Sequence, residues 1–186
     1  MIKILVLGSN SFAGSCLVDY LLKKNFKVFG ISRSDENNIK YKKNKKIKNF
    51  RFIKADINKD LIKIEKIIDK NKFKLIIDFI GQGMVAESWD NADQWFKTNV
   101  YNKIKLIDIL SKKKFLKRYI RISTPEVYGS SKYRIRENSN FNPSTPYALT
   151  HSTIDQYLKL SFEQNRFPYV VLRFSNFYVK HNQCIE

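Results

Sequence analysis

Cysteine is almost missing from this chain: its 186 residues hold two, Cys16 and Cys184. The pair makes neither a disulfide framework nor a metal-binding spacing, so no metal site is expected and a reducing cytoplasm is the natural compartment. Long apolar runs are missing too. The opening Met1-Ile2-Lys3-Ile4-Leu5-Val6-Leu7-Gly8 is too short for a signal peptide and runs straight into a glycine turn. It reads as a buried strand, and no membrane association is expected. Internal repeats and low-complexity linkers are absent. No recognised nucleic-acid motif occurs, and the aromatics are mostly spaced as core residues, which argues against a nucleic-acid partner. Acidic residues are scarce: 17 Asp and Glu stand against 35 Lys and Arg, a net charge of +18. The densest basic run, 40–48, falls between two predicted strands, where a solvated loop belongs. The surplus is mostly Lys, with abundant Asn and Ile, a mixture that an AT-rich coding sequence produces without functional demand. A field this positive still draws anionic ligands.

What is present is a regular alternation of elements. With 43% hydrophobic residues the chain supports one globular domain and a full core. Strands are expected at 2–7, 26–31, 50–54, 74–80, 118–123 and 168–174. Helices are expected at 12–24, after a cap at Asn58 or Asp60 with the stripe Leu61, Ile64, Ile67 and Ile68, at 92–114, and at 147–165. The order β-α-β implies an α/β fold, a doubly wound parallel sheet with helices on both faces. Ligands of such sheets bind at the carboxyl ends of the strands. The proline-bearing stretch 124–146 is expected to be a loop over that site.

The first strand runs into Gly8-Ser9-Asn10-Ser11-Phe12-Ala13-Gly14 and then a helix. Gly8 permits a tight turn, Gly14 lets helix and strand pack closely, and the helix N-terminus points N–H groups at a pyrophosphate. Glycine at such junctions is often purely structural, but its place between first strand and first helix reads as a dinucleotide site. The second strand ends Gly30-Ile31-Ser32-Arg33-Ser34. NAD-specific folds place an acidic residue there. Arg33, with Ser32 and Ser34, instead suits a 2′-phosphate, so either NAD or NADP is expected.

Two further strings carry a resemblance: Ser123-Thr124-Pro125-Glu126-Val127-Tyr128-Gly129 and Tyr147-Ala148-Leu149-Thr150-His151. Together with the glycine turn they resemble the extended short-chain dehydrogenase/reductases, the NAD-dependent sugar-nucleotide epimerases and dehydratases. The family writes Gly-x-x-Gly-x-x-Gly where this chain has Ser11 in the middle place, and Tyr-x-x-x-Lys where it has His151. The resemblance implies a Rossmann domain across 1–186, with only the start of a substrate-binding region at about 175–186. It also implies further cofactor contacts at Asp56-Ile57, Ile80-Gly81-Gln82, Asn99 in Thr98-Asn99-Val100, and Ser123. Asn176, in Leu172-Arg173-Phe174-Ser175-Asn176, would contact the diphosphate of a nucleotide-diphosphate sugar. The helices 92–114 and 147–165 match those that build a dimer interface, which implies a homodimer.

The implied chemistry is transient oxidation at the sugar C4. Tyr147 removes the hydroxyl proton, and a free phenol with pKa ~10 needs help to do so at neutral pH. His151 sits one helical turn on, facing the same way, shorter than lysine and mostly neutral at pH 7. Thr124 and Glu126 match the 4,6-dehydratases, where the threonine holds the C4 oxygen and the glutamate removes the C5 proton. Pro125 stands where those enzymes have an Asp or Ser. The expected function is therefore an NAD(P)-dependent nucleotide-sugar dehydratase, most like a dTDP-glucose 4,6-dehydratase. The alternatives are a truncated, catalytically weak or inactive NAD(P)-binding remnant, a UDP-sugar 4-epimerase, or a UDP-glucuronate decarboxylase.

Overall fold

A computed structural model describes residues 2–35 and 47–176. Most of the basic run 40–48, and Cys184 with most of the region 175–186, lie outside the described residues. Six parallel strands form one sheet: β1 (Lys3–Leu7), β2 (Lys27–Ser32), β3 (Phe50–Lys54), β4 (Leu75–Asp78), β5 (Arg118–Ser123) and β6 (Tyr169–Arg173). Their spatial order is β3-β2-β1-β4-β5-β6. This is the Rossmann order, with its switch point between β1 and β4. The long helices are α1 (Phe12–Lys23), α2 (Leu61–Asn71), α5 (Asn102–Ser111) and α6 (Pro146–Asn165), with the single turns α3 (Glu87–Asp90) and α4 (Ala92–Trp95) before α5.

Alternation along β1 divides the core. Leu5 and Leu7 face a layer built with Ile64 and Ile68 of α2, Ile107 and Leu110 of α5, and Ile154 and Leu158 of α6. Ile4 and Val6 face the other way, onto Val18, Leu21 and Leu22 of α1. Both sides of β1 are therefore dry, which is why it reads as an unbroken aliphatic run. On the α1 side the sheet carries an apolar groove lined by Phe12, Tyr20, Ile120, Ile122, Leu172 and Phe174.

Two elements differ from expectation. β4 ends at Asp78, two residues early, because the Asp78 carboxylate accepts the Ile80 N–H at 2.8 Å and curls the chain off the ladder. The helix expected over 92–114 is interrupted: after α4 comes a π-helical stretch, Phe96–Tyr101, and α5 ends at Ser111. α6 starts as its sequence requires. Thr145 caps it by accepting the Ala148 N–H at 3.1 Å, and Pro146 fills the first turn, where no N–H is needed.

Candidate active site and cofactor cleft

At the carboxyl end of β1 the chain turns through Gly8, whose φ is +77° and whose absent Cβ would stand 2.9 Å from the Phe79 carbonyl carbon. A Cβ on Gly14 would stand 2.3 Å from the Gly8 oxygen. The turn is thus closed to side chains, as a cradle for a pyrophosphate must be. Ser11, in the family's middle-glycine place, is unstrained. Its φ of −64° and ψ of 160° make it the N-cap of α1; its hydroxyl accepts the Gly14 N–H at 3.1 Å and donates to the Gly8 carbonyl at 2.7 Å. Serine here ties the turn together, at the cost of occupying one N–H that a phosphate would otherwise meet.

Beyond the turn lies a cavity of about 260 Å³ lined by Gly8, Asn10 and Ser11, by Ser32, Arg33 and Ser34, by Asp56, Ile57 and Asn58, and by Ile80, Gly81 and Gln82. The sequence-expected cofactor residues of four strand ends are therefore brought together. Phe12 and Ala13 do not line it; their side chains face the apolar groove on the α1 side. Asn10 holds the β2 end in place, its N–H donating to Ser32 Oγ at 2.9 Å and its Nδ2 to the Asp35 carbonyl at 2.7 Å. Arg33 is exposed at the rim. Asp56 spends one carboxylate oxygen on the Asn58 N–H, 2.8 Å away.

Asn99 is 1% exposed and lies behind this cavity. Its Oδ1 accepts the Gln82 N–H at 2.7 Å, and its Nδ2 donates to the Gln82 carbonyl at 3.1 Å and to Thr150 Oγ1 at 3.2 Å. It acts as a brace between the β4 loop and α6. The π-helical stretch delivers it, a use of π-bulges common at functional sites.

The second cluster lies at the end of β5. Thr124 is buried, caps the 3₁₀ turn Pro125–Tyr128 and hydrogen-bonds Tyr147. Glu126 is exposed on the same turn, near enough for its charge to act on the Tyr147 phenol. Burial raises the pKa of that phenol and Glu126 raises it further, whereas the Thr124 hydrogen bond and the Arg121 charge pull it down. The net direction is upward, so Tyr147 carries its proton at neutral pH. His151 packs its ring 4.6 Å from that of Tyr147, centroid to centroid. Burial, then the charges of Arg121 and Lys103, hold its pKa well below the ordinary histidine value. It is neutral, as its residue type led one to expect. Ser123 is buried and donates to Asp155 Oδ2 at 2.9 Å. Asn176 is exposed at the last described position, so the structure sets no contact for it.

Beneath both clusters runs a set of buried charges that sequence reasoning missed. Lys103 and Asp78, each fully buried, pair at 2.5 Å, and Lys103 also donates to the Ile80 carbonyl at 2.9 Å. The Tyr119 hydroxyl donates to the same Asp78 carboxylate. Arg121, 1% exposed, places Nε 3.3 Å from Asp155 Oδ1 and Nη2 3.3 Å from His151 Nδ1. Arg173 closes the set, donating to Asp155 Oδ2 at 2.9 Å and to the Tyr128 hydroxyl at 2.8 Å. A signal existed: Asp78 and Arg121 are charges inside apolar strands, and Asp155 lies one turn beyond His151.

Residues 4–184 match the family model described as the NAD dependent epimerase/dehydratase family. The chain belongs to this family. It is 27% identical over 186 residues to the dTDP-D-glucose 4,6-dehydratase of Homo sapiens, covering 96% of this chain and 52% of that protein. Among solved structures, the UDP-Glc/GlcNAc 4-epimerase of Campylobacter jejuni superposes with a TM-score of 0.84 at 23% identity, over 93% of this chain and 53% of the other. The dTDP-glucose 4,6-dehydratase of Bacillus anthracis, solved in complex with NAD, gives 0.81 at 25% identity, over 96% and 56%. The chain thus spans about half the length of these family members. Among the described residues no helix is long and apolar enough to cross a membrane.

Proposed function

We propose that this chain is the cofactor-binding and acid–base portion of an NAD(P)-dependent nucleotide-sugar 4,6-dehydratase. The observation that carries this is the convergence of Thr124, Glu126 and Tyr147 at the end of β5, in the same sheet whose β1, β2 and β4 ends line the cleft. The residues fit a dinucleotide. A turn closed to Cβ atoms takes the pyrophosphate, and Asp56 faces the cavity with one oxygen committed to Asn58 and the other available for an adenine amine. Arg33 and Ser34 at the rim suit a 2′-phosphate, which favours NADP at this end of the cleft. The chemistry a nicotinamide dinucleotide supplies is acceptance of a hydride from C4. On the protein side, Thr124 holds the C4 oxygen, Tyr147 takes its proton only as the phenolate, a form that its raised pKa confines to alkaline pH, and Glu126, exposed and beside them, removes the C5 proton. Pro125 offers no proton for departure of the C6 hydroxyl.

A second reading, a cofactor-binding remnant without turnover, is favoured by one observation: the residue four places after Tyr147, which carries a positive charge in the family, is here the neutral His151. Incubation of the purified chain with dTDP-glucose and NAD or NADP separates the two. Appearance of a 4-keto product supports the enzyme, and cofactor binding without product supports the remnant. Absence of cofactor binding overturns both. UDP-glucose and UDP-glucuronate as alternative substrates test the epimerase and decarboxylase variants. The exposed side chains of Tyr101, Leu149 and Leu160 on the helices before and within α6 support a homodimer, and a sequence with two cysteines in no disulfide framework supports a cytoplasmic setting. Sedimentation at micromolar concentration tests the dimer; a monomer there removes it.

A further inference from the structure

Arg121 leads from β5 to the underside of His151, and the contact there has only one chemical reading. Every guanidinium nitrogen bears hydrogen and none accepts. Nη2 stands 3.3 Å from His151 Nδ1, so Nδ1 must be the acceptor and must lack a proton. The remaining imidazole proton then resides on Nε2. The guanidinium is not free to turn away. Asp155 holds its Nε, and Asp155 is in turn fixed by Ser123 Oγ and by Arg173 Nε, each at 2.9 Å.

We propose that Arg121 is a positioning residue that fixes His151 as its Nε2–H tautomer and supplies, from beneath the helix, the positive charge that position 151 lacks. His151 then presents one hydrogen-bond donor and no charge beside Tyr147. The charged and titratable groups facing it agree with this arrangement. They are Arg121 from β5, Lys103 from α5, which is itself paired to Asp78 of β4, and Tyr147 and Asp155 from its own helix. Two cations with one carboxylate engaged by each leave no place for a third positive charge on the ring. The donor's use, a hydroxyl of a bound dinucleotide, rests on the proposed function; the tautomer and the charge placement do not.

The chain has two histidines, His151 and His181, which makes the test direct. Histidine labelled with ¹⁵N is followed by long-range ¹H–¹⁵N correlation, and His151→Gln assigns the signals. The expected spectrum has a pyridine-like Nδ1 and a protonated Nε2 for His151, unchanged from pH 8 to pH 5.5. In Arg121→Gln the same ring should mix tautomers and titrate at higher pH than in the unaltered chain, still below the ordinary histidine value because burial and Lys103 remain. Arg121→Lys, which keeps the charge, should keep the titration suppressed. A protonated Nδ1 in the unaltered chain, or a midpoint near the ordinary value there, overturns the proposal. The unaltered spectrum decides this alone if the Arg121 variants do not fold. NAD and NADP titrations of the same sample read the cofactor separately: with the expected tautomer and no binding, the proposed function fails and the role of Arg121 stands.

Discussion

Lys103 spends its whole side chain in the dry interior to meet Asp78 and the carbonyl of Ile80. Burial lowers its pKa to about 8, against the pull of Asp78 and with the help of Arg121. Removing one partner of such a pair leaves a buried charge unanswered. Lys103→Met should therefore cost about 3–5 kcal/mol in urea denaturation, and the double variant with Asp78→Asn should recover most of it. His151 sets the acid side of stability. Its folded pKa lies well below its unfolded value, so the unfolded chain binds the proton first as pH falls. Stability from this residue is whole above pH ~6.5 and declines below it, by up to about 1.4 kcal/mol per pH unit. His151→Asn should flatten that decline between pH 6.5 and 5 in chemical melts. Restoring the family's lysine is not a simple repair. An ammonium at 151 would meet Arg121 and Lys103 at close range, so His151→Lys alone should destabilise the fold and gain no cofactor affinity. Combined with Arg121→His it should regain most of the loss, a coupling that a double-variant cycle measures.

At the scale of elements, the strands were legible and the joints were not. β1 and β2 announce themselves because apolar runs bounded by glycine or polar residues suit buried parallel strands. The glycine turn and Arg33, read from their place between strands and helices, and Asp56 and residues 80–82, implied by the family resemblance, line one cleft. The π-helical stretch was not, because one widened turn leaves the apolar spacing of Trp95, Val100 and Ile104 nearly helical. Arg121, Lys103 and Asp155 were missed for a related reason: in a chain with so many charges, a buried one looks like any other. The π turn has a measurable consequence. Asn99→Leu keeps the branched shape in a larger side chain and breaks three hydrogen bonds that pin Gln82 and Thr150. NAD affinity should fall on the order of 10-fold, from the two lost bonds to Gln82, of about 0.5–1.5 kcal/mol each. The helical signal in circular dichroism should be unchanged, and calorimetric titration reads the affinity.

For the whole molecule, the sheet is dressed unequally. α2, α5 and α6 cover one face, whereas on the other α1 packs beside a groove of aliphatic and aromatic side chains in which Phe174 is 40% exposed and Tyr20 55%. Such a surface attracts copies of itself. The net charge of +18 opposes that attraction. The two influences differ in reach: the repulsion extends about 10 Å at 0.1 M salt and about 3 Å at 1 M, whereas apolar contact does not weaken with salt. Colloidal behaviour should therefore invert the usual advice for a basic protein. Light scattering should show clear solutions at low ionic strength and growing particles as sodium chloride is raised. Leu172→Lys, placed in the groove, should shift that onset to higher salt. This groove, open among the described residues, thus makes ionic strength a variable that decides whether this chain can be kept in solution.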